Sequence, residues 1–199
     1  MANVSRVNGL RPVTFRGGME YNAKVNQYYL PSTDGTAVYI GDTVKLAGAA
    51  DTTSTVPGSF PTVTKSTAAT TAIVGVVVGF AFNPLDLNIS GMYRAASTNR
   101  YCLVADDPDQ VFEVQTSNGT PAGLDVGQNV EMADAGGSTT TGASGITADV
   151  GTLGTGATIV LKVLAFVPRP DNDNTLTNAK YLVKINNHQL AASTGSAGV

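Results

Sequence analysis

Few side chains in this sequence could take part in catalysis. Its 199 residues include one histidine, His188, and one cysteine, Cys102, and no tryptophan. Enzymes usually gather titratable groups with shifted pKa values in a cleft, and this chain has few to gather. No recognisable nucleophile motif lies near His188. We therefore predict no catalytic residue. Because four adjacent amide and imidazole side chains offer many donors and acceptors, we expect a subunit contact at Asn186, Asn187, His188 and Gln189.

The acidic cluster of Asp106, Asp107 and Asp109 could in principle hold a cation. A calcium loop needs a longer series of oxygen ligands, and Pro108 interrupts this one, so a solvated turn is favoured over a cation site or catalytic acids. The glycine-rich stretch 151–156 lacks the Lys-Ser/Thr ending of a nucleotide loop. The sequence thus predicts no metal and no cofactor.

Apolar segments of the chain are typical of a globular core rather than of a membrane. Cys102 lies in the run Tyr101-Cys102-Leu103-Val104-Ala105, which predicts a buried thiol. The longest apolar block, 72–82, contains two glycines and is shorter than a membrane span of about 18 residues. Polar residues interrupt the N-terminus where a signal core would lie. We expect no membrane contact and synthesis in the cytoplasm.

Short strands predominate, and no segment shows helical periodicity over three turns. Turns recur at about ten-residue spacing, which is typical of an all-β chain, an antiparallel barrel or a sandwich. A hairpin is expected across Gly41-Asp42, a turn or a single helical turn at 83–86, and a bulge or close backbone approach at Gly75 and Gly79. The predicted strands are 25–30, 37–40, 43–47, 73–82, 100–105, 111–116, 129–133, 158–167 and 181–186, with a possible edge strand at 62–65.

Three regions follow from this pattern. Residues 1–19 show neither alternation nor helical spacing and are predicted to form an extended arm, with a reach of about 50 to 60 Å if fully drawn out. Residues 20–185 form the β-rich body, in which the low-complexity segments 48–71 and 134–157 are predicted to be loops. Residues 186–199 are expected to form a flexible C-terminal tail.

Charge is distributed unevenly along the chain. Residues 1–19 carry Arg6, Arg11 and Arg16, residues 174–199 carry Lys180 and Lys184, and neither end contains an acid. The stretch between them holds the other seven bases and all fifteen acids. Five dispersed charges would give a shallow salt dependence on nucleic acid, so docking on an acidic protein surface is favoured.

Three phrases in the sequence are distinctive. They are Asn8-Gly9-Leu10-Arg11-Pro12-Val13, the run 105–115 from Ala-Asp-Asp-Pro-Asp to Phe-Glu-Val-Gln, and Arg169-Pro170-Asp171-Asn172 followed by 184–189, Lys-Ile-Asn-Asn-His-Gln. These phrases resemble the capsid cement, or head decoration, proteins of tailed bacteriophages. The matches extend over essentially the whole chain, although the segments 48–71 and 134–157 contain no distinctive sequence motif.

This resemblance implies a non-enzymatic, β-rich structural protein on the outer capsid surface of a virion, where it clamps neighbouring major capsid subunits. It also implies a homo-oligomer, a trimer in preference to a dimer. Clamping by several weak contacts would multiply avidity by roughly 10² to 10⁴. The arm would supply apolar anchors and arginines that bind carboxylates: Val4, Val7, Leu10, Val13 and Phe15, with Arg6, Arg11 and Arg16. A carbohydrate- or receptor-binding β module on a virion surface is the alternative, although sugar sites usually stack on exposed aromatic rings.

Overall fold

The computed structural model describes residues 3–52, 58–67, 70–82, 91–191, 195, 197 and 198. This part of the chain forms thirteen strands and one short 3₁₀ helix, Gly123–Asp125. The strands are β1 (Arg11–Phe15), β2 (Asn26–Leu30), β3 (Val38–Tyr39), β4 (Thr43–Ala50), β5 (Pro61–Lys65), β6 (Gly75–Phe80), β7 (Tyr93–Arg94), β8 (Arg100–Ala105), β9 (Gln110–Ser117), β10 (Asn129–Gly137), β11 (Ser144–Gly154), β12 (Leu161–Phe166) and β13 (Lys180–Ile185). The predicted all-β class is confirmed.

The strands form two barrel-like sheets. The first is a closed barrel in the order β2-β5-β4-β6-β8. The second has the order β1-β9-β11-β10-β12-β13, and a further pairing of β9 with β13 closes it on itself. Most neighbours are antiparallel, but β2–β5 and β9–β11 are parallel. The small β3–β7 pair stands apart from both sheets.

Two hydrophobic cores meet at β6 and β8. Val76 on β6 and Ala105 on β8 belong to the core of the second sheet, whereas Val77 and Val104 belong to the core of the first. Because side chains alternate along a strand, these strands contribute to a different core on each face. This arrangement explains why the β-branched residues Ile73, Val74, Val76 and Val77 are all fully buried although they point to both faces of the chain.

The glycines of β6 lie where the sequence places a bulge or a close backbone approach. A Cβ on Gly75 would lie 2.4 Å from the carbonyl oxygen of Ala105, so the two backbones touch. The register between β6 and β8 shifts between Val77 and Gly79. Both predictions are confirmed, and the close contact lets β8 pack against β6 at the junction of the cores.

The segment 134–157 is largely strand, so its prediction as a loop is wrong. Residues 134–137 complete β10 and residues 144–154 form β11, which pairs with β10 along its length. Ile146 and Ala148 are fully buried in the core. Strand formation depends on packing against neighbours more than on composition, so this Gly/Ala/Thr-rich sequence becomes strand once β10 lies beside it.

Pairing also differs from the sequence prediction in the first half of the chain. β3 pairs with β7, not with β4, so the predicted hairpin across Gly41-Asp42 is wrong. The segment 61–65 is a strand as predicted, but it lies between β2 and β4 rather than at an edge. Residues 48–50 continue β4. Residues 53–57 and 68–69 of the predicted loop, and the predicted turn 83–86, lie outside the described residues.

Candidate docking surface

Strand β9 brings the two basic ends of the chain together. β1 pairs with one edge of β9, where Arg11 faces Glu113, and β13 pairs with the other edge, where Leu182 faces Glu113. The predicted arm is therefore not free of β structure, since residues 11–15 form β1 on the chain's own body. As a result, basic residues separated by more than 150 positions in the sequence lie on one side of the second sheet.

We call this surface the basic face. Lys162 lies directly opposite Lys184 on neighbouring strands, and both alternate with core residues, so they point outward. Arg169 reaches the outer side of β9 through Glu113. Arg6 and Lys180 line one surface groove. The basic face comprises seven of the twelve lysines and arginines of the chain: Arg6, Arg11, Arg16, Lys162, Arg169, Lys180 and Lys184.

Glu113 is the buried acid at the centre of the basic face. Both of its oxygens accept hydrogen bonds from Arg169, at 2.9 and 3.1 Å, and the Nζ of Lys180 lies 3.4 Å from Oε1. The Glu113 side chain is 10% exposed and that of Arg169 is 42% exposed. This bidentate pair fixes the segment after β12 against β9 and leaves one edge of the guanidinium in solvent.

Like charges crowd the opposite end of the basic face. The pKa of Lys184 is lowered by burial and by the nearby positive charges of Arg16 and Lys162, against the opposing effect of Asp109. Like charges directly opposite each other on neighbouring strands are destabilising. An external anion at this end would therefore relieve a repulsion that the isolated chain retains.

The three N-terminal arginines extend into solvent. Arg6, Arg11 and Arg16 are exposed, and within the described residues none of their guanidinium groups makes an ion pair or a side-chain hydrogen bond. Their backbones are held in place: the amide of Arg6 donates to Oε1 of Gln115 at 2.6 Å, and that of Arg16 donates to the carbonyl of Asp109 at 2.9 Å. A fixed backbone thus presents three exposed cations to solvent.

The apolar residues predicted as anchors divide between surface and interior. Val4 is 65% exposed, whereas Val7, Val13 and Phe15 are half-buried. Leu10 is 1% exposed and lies in the core of the second sheet, so its side chain has no access to another subunit. Val4 is the anchor candidate that is best placed for an external contact.

The predicted subunit-contact residues at the C-terminus contact the chain's own body. Nδ2 of Asn186 donates to the carbonyls of Ala157 and Ile159, and Nδ2 of Asn187 donates to the carbonyl of Thr70 at 3.0 Å. Oε1 of Gln189 accepts from the amide of Leu46 at 2.7 Å. Farther along, Lys162 Nζ donates to the carbonyl of Ala197 at 2.6 Å. The described part of the segment 186–199 therefore packs against both sheets.

His188 is a buried structural residue in this arrangement. It is 4% exposed, its Nδ1 accepts a hydrogen bond from the amide of Leu190 at 3.0 Å, and its backbone forms a bridge with Ile73. Burial lowers the pKa of His188, although Asp106 and Asp107 act in the opposite direction. The bonded Nδ1 and the bridge to Ile73 hold the C-terminal segment against the residues that precede β6.

The acidic cluster of Asp106, Asp107 and Asp109 contributes to the interior of the body as well as to the surface turn. Oδ2 of Asp106 accepts from the hydroxyl of Tyr28 at 2.6 Å, and Asp106 is 5% exposed, so the prediction of a solvated turn is wrong for this residue. Asp107 pairs with Lys24 at 2.6 Å, and this hydrogen-bonded pair lowers the pKa of Asp107. Cys102 is buried as predicted, and burial raises its pKa to about 12.

Two surface grooves accompany the basic face. The larger, of about 520 Å³, lies between Val7, the end of β9 and the β10–β11 hairpin, and its described lining is made of small and polar residues. The smaller, of about 270 Å³, lies between Val4, Arg6 and Lys180. Across the described ranges, no group of three His, Cys, Asp or Glu residues is placed to hold a metal ion.

Sequence reasoning did not select Lys162 or Arg169 for this surface. Alternation within the predicted strand 158–167 places Lys162 on the solvent side, which was a usable signal for its orientation. Arg169 lies in one of the phrases quoted above, but its bond to Glu113 depends on the pairing of β9 with β13. Neither residue could be assigned to the basic face before the strand order was known.

Among the described residues, no helix is both long enough and apolar enough to cross a membrane. No family model matches this chain, and comparisons with curated proteins and with solved structures give no significant match.

Proposed function

We propose that this chain is a structural, non-enzymatic virion protein that binds the outer surface of an assembled phage capsid. In this proposal the basic face docks on acidic patches of neighbouring major capsid subunits and holds them together. The observation that carries it is the presence of Arg6, Arg11 and Arg16 on one face, where their guanidinium groups make no ion pair with any residue that the structure describes. The three phrases that resemble phage decoration proteins supply the identity of the acidic partner.

The geometry favours a rigid clamp over a pair of loose tails. Residues 3–15 already lie on the body, so docking does not incur the cost of ordering them, about 1 to 2 kcal/mol per residue. Exposed ion pairs each contribute about 0.2 to 1 kcal/mol, so one arginine is insufficient and several must bind together. A surface with seven bases satisfies that requirement by contacting more than one subunit at once.

A catalytic role is disfavoured by the same contacts. His188 is buried and its Nδ1 is bonded to the chain's own backbone. Asp106 binds Tyr28, and Asp125 binds the hydroxyl of Tyr181 at 2.5 Å, so these carboxylates hold the body together.

We also propose that the protein assembles as a homo-oligomer, a trimer in preference to a dimer, which light scattering on the purified chain would establish.

The carbohydrate-binding alternative receives less support from the grooves. The described lining of the larger groove contains no aromatic ring on which a sugar could stack. The smaller groove is lined by amides, charged groups and Val4. The lining chemistry therefore fits charged protein groups better than sugar faces.

Cosedimentation with capsids purified without this protein tests the proposal. Arg11→Glu/Arg16→Glu should lower shell affinity about tenfold or more, because two favourable charges become repulsive. Lys45→Glu on β4, compared with Arg16→Glu alone, is the matched control, since it makes the same change in net charge outside the basic face. Wild-type binding should also weaken as salt rises. Equal losses for Arg16→Glu and Lys45→Glu, or no wild-type binding, would reject the basic face as the docking surface.

A further inference from the structure

The groove of about 270 Å³ lies where the N-terminal segment crosses the turns that precede β13. Its walls are formed by Asn3, Val4, Arg6, Asp171, Asn172, Asn178 and Lys180. The docking proposal uses the whole basic face and leaves this recess without a specific role. A recess within a charged surface is the natural place for one inserted side chain, because burial strengthens a charge-assisted bond that solvent would otherwise weaken.

Amide side chains hold the groove walls in place. Nδ2 of Asn3 donates to the carbonyls of Asp173 and Thr177 at 2.8 and 3.0 Å, while its Oδ1 accepts from the amide of Asp173 at 2.8 Å. Oδ1 of Asn172 accepts from the amide of Lys180 at 2.8 Å. The three chain segments are therefore tied together, and the recess exists before any partner binds.

Asn178 occupies a constrained position beside the recess. Its φ is +60°, a conformation in which asparagine is among the better tolerated residues. Its Oδ1 accepts a hydrogen bond from Nε2 of Gln115 at 3.3 Å, which orients the amide so that its Nδ2 is left as a donor. Within the described residues, no hydrogen bond is made by that Nδ2.

Positive charge exceeds negative charge in the groove. Arg6 has no intramolecular ion pair among the described residues, and Lys180 shares Glu113 with Arg169, which already binds both carboxylate oxygens. The acid in the lining, Asp171, is 74% exposed and lies 3.4 Å from Nε of Arg169. Two cations thus face the recess with one acid at its rim.

We propose that the groove receives a single carboxylate side chain, an aspartate or glutamate that projects from the acidic surface of the docked partner. The guanidinium of Arg6 and the ammonium of Lys180 bind its oxygens, the amide of Asn178 donates a further hydrogen bond, and exposed Val4 packs against its methylene stem. This inference rests on the proposed docking function. A nucleic-acid backbone would instead follow the open face and contact phosphates in series.

Shell cosedimentation of Arg6→Gln, Lys180→Gln and the double variant provides the first test. Arg11→Gln/Arg16→Gln is the matched control for the double variant, since it removes two charges from the basic face outside the groove. The groove double variant should lose about tenfold or more in affinity, well beyond the loss for Arg11→Gln/Arg16→Gln. Equal small losses would overturn the groove while leaving the docking function intact. Loss of self-association in place of shell binding would identify a second copy as the occupant and overturn the proposal.

A ¹H–¹⁵N NMR titration with a capped tetraglutamate peptide tests the groove without any capsid. Amide shifts should concentrate at Val4, Asn178 and Lys180, and Arg6→Gln/Lys180→Gln should abolish them. Capped tetraglutamine should produce none. Dispersed shifts, or shifts as large with inorganic phosphate as with the peptide, would overturn a site for protein carboxylates. Localised shifts in a protein that does not bind shells would retain the groove and reject the capsid as its partner.

Discussion

Glu113 on β9 binds both terminal nitrogens of Arg169, which lies just beyond β12, through two hydrogen bonds of 2.9 and 3.1 Å. The same carboxylate lies opposite Arg11 across the β1–β9 pair and 3.4 Å from Nζ of Lys180. One buried acid thus lies among bases from both ends of the chain. It compensates part of their mutual repulsion and leaves the remainder available for an external partner.

Glu113→Gln should lower the free energy of unfolding by about 1 to 2 kcal/mol. The change removes charge-assisted hydrogen bonds to Arg169, and the partial exposure of that guanidinium limits the loss. Urea unfolding followed by circular dichroism measures it. Asp171→Asn is the matched control, because that acid is 74% exposed and pairs with the same arginine at 3.4 Å. A loss for Asp171→Asn as large as that for Glu113→Gln would contradict the central position of Glu113.

Lys65 links the two sheets through two carboxylates. Its ammonium lies 3.2 Å from Asp42 and 2.9 Å from Asp134, and its side chain is 7% exposed. Burial raises the pKa of Asp42, although Lys65 acts in the opposite direction. Lys65→Met should therefore destabilise the protein by about 3 to 5 kcal/mol, because it leaves a buried aspartate without its cation. Thermal or urea unfolding gives the value.

The double variant Asp42→Asn/Lys65→Met separates this explanation from a simple loss of packing. Removing both charges together should cost less than Lys65→Met alone, since no buried charge remains uncompensated. The single variants Asp42→Asn and Lys65→Met should each lower the free energy of unfolding by a measurable amount. If these two losses simply add in the double variant, the two charges are not coupled and the link between the sheets has another cause.

The local sequence pattern was sufficient to predict a strand where apolar and polar residues alternate along it, or where apolar residues fill both of its faces. The alternation in β9 correctly separates Phe112 and Val114, which enter the core, from Glu113 and Gln115. The segment β11 gave no such signal, because its glycines, alanines and threonines become strand only through pairing with β10.

The candidate surface depended on information that a single sequence does not carry. The basic ends are evident from composition, but their meeting requires β1 and β13 to pair with opposite edges of β9, about 100 and 70 residues away. Such non-local pairing is not encoded in periodicity. For the same reason Leu10 was predicted to be an external anchor, whereas its amide donates to the carbonyl of Gly41 and its side chain enters the core.

Gly9→Ala should detach the N-terminal segment from the body. Gly9 has a φ of +65°, and a Cβ there would lie 2.4 Å from the carbonyl oxygen of Gly41 and 2.6 Å from Cβ of Ser144. Strain in the left-handed region together with overpacking should cost about 1 to 3 kcal/mol. Limited proteolysis with trypsin should then cleave faster after Arg6, whereas Pro12 blocks cleavage after Arg11 in either protein. Gly17→Ala is the control, since nothing lies within 4 Å of its added Cβ, and equal cleavage rates would show that Gly9 does not fix the segment.

His188 should make stability depend on pH below neutrality. Burial lowers its folded pKa, with Lys184 acting in the same direction and Asp106 and Asp107 against it. The unfolded chain takes up a proton near pH 6.5, and the folded chain only at lower pH, so its contribution is present above about pH 6.5 and is lost as pH falls through the folded pKa. The slope from one proton is at most about 1.4 kcal/mol per pH unit. His188→Gln should therefore lose less stability than wild type between pH 7.5 and 5.5 in urea unfolding. Parallel curves of unfolding free energy against pH for the two proteins would contradict this prediction. They would mean that the buried imidazole titrates equally in the folded and unfolded states.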